Sequence, residues 1–107
     1  KQELHDLKLK YDELYRKKFP DGYRGKEINS IDLVMIDADT MGCISSFVNY
    51  DGKIDPWRLA ILGLCYKELF EVTNHLDGYA KEYYGELEKL AEAVLKSFIK
   101  NNRERYQ

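Results

Sequence analysis

IDLVMIDADTMGCISSFV, residues 31–48, is the stretch on which the fold turns. At about 100° per residue its apolar side chains Ile31, Leu33, Val34, Met35, Ile36, Met41, Ile44, Phe47 and Val48 fall nearly all the way round a helix, the pattern of a central helix touching several neighbours. The opening Ile31–Ile36 also reads as a buried strand, but no convincing second strand is present to pair with it, and a lone strand is not stable. The segment is therefore read as a helix, with Ser30 as its N-cap.

Outward from this segment the pattern stays helical. Residues 2–19 place Leu4, Leu7, Tyr11, Leu14 and Tyr15 on one face, and Phe19-Pro20-Asp21-Gly22 ends the run with a turn. A polar connection then leads to Asn29. After the turn at residues 49–53, Asp55 caps a third helix whose first position is Pro56, where proline is best tolerated. Its core stripe is read as Leu59, Leu62, Tyr66, Leu69 and Phe70, with Ile61, Cys65 and Val72 as a second apolar edge. His75-Leu76-Asp77-Gly78 breaks the chain, and a final helix carries Tyr83, Leu87, Leu90, Ala91, Val94 and Phe98. The expectation is an all-α protein of one domain over residues 1–107, a four-helix bundle or compact four-helix array, with helices at about 2–19, 31–48, 56–75 and 79–101.

Composition narrows the function classes. The formal charge of −2 disfavours a general nucleic-acid binder, which needs a basic surface to displace counterions. Two local basic clusters, Arg16-Lys17-Lys18 and Lys100 with Arg103 and Arg105, sit at helix C-termini, where cations offset the macrodipole. No apolar run approaches the roughly 18 residues of a membrane span. No secretory signal is visible, although the chain begins at Lys1 and leaves open a leader removed before it. Cys43 and Cys65 read as buried thiols in a reducing, cytoplasmic setting rather than as a disulfide framework.

Acid on the central helix is the least ordinary feature. Asp32, Asp39 and Ser46 are spaced by seven and share one line, with Asp37 about 160° from Asp39. Three readings compete: a solvent seam paired with Arg58 or with a lysine of helix 1, an acidic recognition stripe for a basic partner, and a metal or acid–base site using Asp32, Asp39 and His75. Carboxylate sites in bundles usually set Glu-x-x-His ligands on facing helices, and here His5 and His75 each stand alone. Residues 49–54 imitate the middle of an EF-hand loop, yet Phe47 and Arg58 occupy the end positions where Asp and a bidentate Glu are required. The glycines fit no phosphate-binding spacing. No cofactor is therefore expected.

Tyrosine is abundant, with nine residues, and it serves interfaces as readily as it seals the ends of a bundle. Tyr79 and Tyr83 lie one turn apart, while Tyr23, Tyr50, Tyr84 and Tyr106 fall at helix edges, loops or the terminus.

IDLVMIDADTMGC (residues 31–43) followed by WRLAILGLCYKEL (residues 57–69) resembles a pattern in small helical bacterial proteins of unknown function, some of them immunity partners of secreted toxins. The resemblance runs from about Ile31 to Leu95 and leaves helix 1 unmatched. It implies a protein-binding inhibitor and carries over no functional residue. The residues expected to meet a basic partner are Asp32, Asp37, Asp39 and Asp51, with Tyr50, Tyr79 and Tyr83 as anchors. A third reading is a structural subunit that self-associates through helix 1.

Overall fold

The computed structural model describes residues 2–105, with side chains to Arg103; Tyr106 and the Arg105 side chain of the second basic cluster lie outside the described residues. The protein is an all-α four-helix array: α1 Gln2–Arg16, α2 Leu33–Asn49, α3 Pro56–Thr73 and α4 Gly78–Arg105. One small sheet accompanies it, β1 Glu27–Ile28 against β2 Ile31–Asp32. Helix α1 stops three residues before the expected Phe19. The Lys17 amide turns back to the Leu14 carbonyl, and Phe19 precedes a buried Pro20, which disfavours helical backbone at that residue.

The start of α2 corrects the sequence reading. Ile31–Asp32 does find a strand partner: Glu27 pairs with Asp32 and Ile28 with Ile31. Asn29 and Ser30 form the tip at φ 51° and 66°, the left-handed pair that a two-residue hairpin favours. Ser30 is thus a turn residue and cannot cap. Asp32 caps instead, its Oδ1 accepting from the Val34 and Met35 amides at 2.9 Å. The first acid of the presumed stripe is committed to capping the start of a helix.

Helices α2 and α4 form the middle of the array, packed on each other and both touching α1 and α3. Ion and hydrogen-bond pairs set the directions. Glu3 meets Ser97 and Lys17 meets Glu86, so α1 and α4 run antiparallel; Tyr66 meets Glu92 and Thr73 meets Glu88, so α3 and α4 do as well. Helix α2 buries Leu33, Ile36, Cys43, Ile44, Phe47 and Val48 against three neighbours, which explains its nearly all-round apolar pattern. The encirclement is incomplete, because Met35 is 56% exposed. Helix α1 spends Leu7 and Leu14 inside this same core, leaving Leu9 and Tyr15 exposed.

Two more core assignments change. Phe70, read as core, is 61% exposed, whereas Tyr84, read as a helix edge, is fully buried and donates its hydroxyl to the Leu33 carbonyl at 2.7 Å. Tyr84 makes an edge contact with Tyr83 at 5.3 Å, and both rings meet Phe19 from the α1–β1 connection. This aromatic cluster holds the polar connection on the bundle.

Candidate functional site

The array leaves one line of α2 facing outward: Met35, Asp39, Gly42 and Ser46, spaced so that they stack on one face. Beside it, Asp55 fixes where α3 begins. Its carboxylate accepts from the Arg58 amide at 2.8 Å and pairs with the Arg58 guanidinium. Those bonds hold its carboxyl pKa below the ordinary carboxylate range, the Arg58 amide contributing most. Capping at Asp55 puts Trp57 in the first turn of α3, directed away from the core stripe and 75% exposed.

Between the two helices lies an open groove of about 800 Å³. Gly42 and Cys43 lie on its α2 side with Asp39 and Ser46; Trp57 and Ile61 line the α3 side. An adjoining recess shares Ser46, Asp55 and Arg58 and reaches Tyr50, itself 68% exposed. Aromatic area, a carboxylate and backbone without a side chain therefore converge on one face.

Asp39 is the uncommitted acid here. Asp39 faces solvent, as the seam reading has it, but among the described residues no hydrogen bond or ion pair holds it. The pairing with Arg58 is not made because Arg58 is bound to Asp55. Burial above all pushes the Cys43 thiol in the groove up to about 11, which disfavours the thiolate. Cys65 is also raised, again chiefly by burial, and both cysteines are free.

Gly42 has no packing reason to be glycine, because a Cβ there would meet nothing within 4 Å. Glycine within a helix costs roughly 0.5–1 kcal/mol relative to alanine. Gly42→Ala is therefore expected to raise stability by about that amount, read as a higher thermal midpoint. A fall in stability would show that Gly42 serves the fold.

The remaining expected site residues are spread apart. Tyr83 is only 4% exposed, and its hydroxyl donates to Asp37 Oδ1 at 2.9 Å, so both belong to the α2–α4 contact. Tyr79 lies beyond the far end of α2, near Tyr23, and donates to the Lys18 carbonyl. Asp51 is exposed at φ 55° in the turn closing α2, where the Gly52 amide returns to the Phe47 carbonyl. His75 touches Asn29 at the hairpin tip, separated from the Asp39 groove by about 20 Å of α3. Asp32, Asp39 and His75 do not converge, and among the described residues no group of three or more His, Cys, Asp and Glu is placed to hold a metal ion.

Asp37 carries a pH dependence. Burial raises its carboxyl above the ordinary 3.8, outweighing the Tyr83 hydroxyl and the positive charge of Arg24, which both lower it. A raised folded-state value means that the folded protein holds the proton more tightly. Its stability contribution is therefore full below pH 3.8 and lost as pH rises through the folded value. Asp37→Asn, which keeps an acceptor for Tyr83, is expected to raise the thermal midpoint by a few degrees at neutral pH. The gain should vanish near pH 3.8. A constant gain at all pH values would rule out ionisation as its cause.

The sequence reading missed Trp57 as a site residue, although the signal was there. At about 100° per residue Trp57 lies about 140° from Leu62 and 120° from Leu69, outside the core arc. No helix among the described residues is long and apolar enough to cross a membrane. No family model matches this chain, and no curated protein or solved structure matches it either.

Proposed function

We propose that this protein binds and masks a basic surface of another protein, acting in the manner of an immunity protein that neutralises a toxin domain. One observation carries the reading: the only tryptophan of the chain stands exposed on the lip of a groove beside an uncommitted aspartate. Leaving such a ring in water forgoes the free energy of burying it, and tryptophan is among the residues most enriched at binding hot spots. Asp39 supplies steering and selects a positive counterpart. The interface set becomes Asp39, Tyr50 and Trp57, with Asp51 at its margin. Asp32, Asp37 and Tyr83 act within the fold. The immunity role rests on the sequence resemblance together with this masking geometry.

The test is capture of the tagged protein's partner from lysate of its source organism, at low and moderate salt, with Trp57→Ala and Asp39→Lys as parallel baits. One stoichiometric basic protein is expected on the unaltered bait, weaker at the higher salt and depleted on both variants. Equal recovery on all three baits, or no partner at either salt, would count against the reading.

A further inference from the structure

We infer that the α2–α3 groove takes an amphipathic helix of the partner, bearing a lysine or arginine beside its apolar anchors, with its backbone closest to α2 at Gly42. The inference rests on the masking function above and names what the groove recognises.

Three observations converge on this occupant. The groove is bounded by two helices, and its α2 side from Ala38 to Ser46 is about 12 Å long, a little over two turns of a third helix. At its middle, Gly42 leaves open space where any other residue would project a side chain, and small residues let helix backbones approach closely. Trp57 and Ile61, four residues apart on the α3 side, offer apolar contact at helical spacing.

Charge selects the sign of the occupant. Within the groove lining Asp55 ties up Arg58. Asp39 is left over, a charged group of the groove lining with no partner among the described residues. A bound helix with a cation there gains a pair, whereas an anionic lipid or nucleic-acid backbone meets repulsion.

Trp57 is the reporter, because no other tryptophan contributes to the emission. Two blocked designed peptides of roughly 14 residues serve as probes, with leucines at helical spacing and either lysine or glutamate elsewhere. The lysine peptide is expected to shift Trp57 emission to shorter wavelength and reduce acrylamide quenching at least about threefold, against no change with the glutamate peptide. Gly42→Leu should abolish the response while keeping helical circular dichroism and thermal midpoint, since open space surrounds that position. Asp39→Lys should reverse the peptide preference. Equal response to both peptides, an unchanged response in Gly42→Leu, or no response up to millimolar peptide would each overturn the inference. So would an emission shift that follows protein concentration alone, which would identify a second copy as the occupant. Partner capture that depends on Trp57 and Asp39 but not on Gly42 would sink the helix while leaving the masking function standing.

Discussion

Tyr84→Ala is expected to destabilise the protein by roughly 4 kcal/mol, while Tyr50→Ala stays within about 0.5 kcal/mol of the unaltered chain. The contrast follows from position rather than residue type. Tyr84 is fully buried where α4 meets the first residue of α2, packed edge-on against Tyr83 and Phe19. Truncation removes a whole ring from a contact that involves both central helices and the α1–β1 connection, so collapse around the gap is restricted. Its hydroxyl adds a smaller share. The Leu33 carbonyl it contacts also lies in the first turn of α2, so Tyr84→Phe should cost only about 1 kcal/mol. A small domain holds about 5–15 kcal/mol in total, which places Tyr84→Ala near the edge of folding. Urea unfolding followed by far-ultraviolet circular dichroism, with Tyr84→Phe as the variant that certainly retains the packing, measures the series. A loss below about 1 kcal/mol in Tyr84→Ala would contradict the α2–α4 packing.

How much of this was legible in the sequence depended on the length of each element. The four helices were readable because each repeats an apolar stripe over several turns, and the Asp55-Pro56 start left its own mark. The hairpin was not, since two-residue strands are too short to show alternation. Its existence depends on left-handed backbone at Asn29 and Ser30, residues that also suit a helix cap. That ambiguity shifted the cap from Asp32 to Ser30 and made Asp32 look like part of a stripe. Tyr84 was misplaced for another reason: α4 meets α1, α2 and α3, so its buried arc is wider than a single stripe. Phe70 failed in the opposite sense. It lies about 80° from Leu62, close enough in phase to be read as core, yet at the edge where no helix covers α3. The acid spacing led to Asp39, which does stand uncommitted in a groove. Sequence alone could not bring Trp57 beside it, because that needs the packing of α2 on α3.

Binding should respond most strongly at Trp57. Trp57→Ala is expected to weaken the captured partner by at least about 2 kcal/mol, roughly thirtyfold, with the thermal midpoint unchanged. Both halves of this expectation come from the same geometry. The ring contributes little to the free fold because it is mostly in water, and for the same reason its whole apolar area remains available to a partner. Asp39→Lys should cost at least about tenfold and flatten the salt dependence, since it exchanges an attraction for a repulsion at the groove. Asp51 requires a gentler change. Its left-handed backbone would strain a lysine, so Asp51→Asn removes the charge without that cost, and at the margin of the face its effect should be small. Titration calorimetry of the three variants with the purified partner ranks them. If Trp57→Ala bound as tightly as the unaltered protein, the α2–α3 groove would not be the interface, whatever the partner proved to be. Loss at Trp57 without loss at Asp39 would retain the groove as the interface but make its recognition apolar, and a basic target would no longer be required.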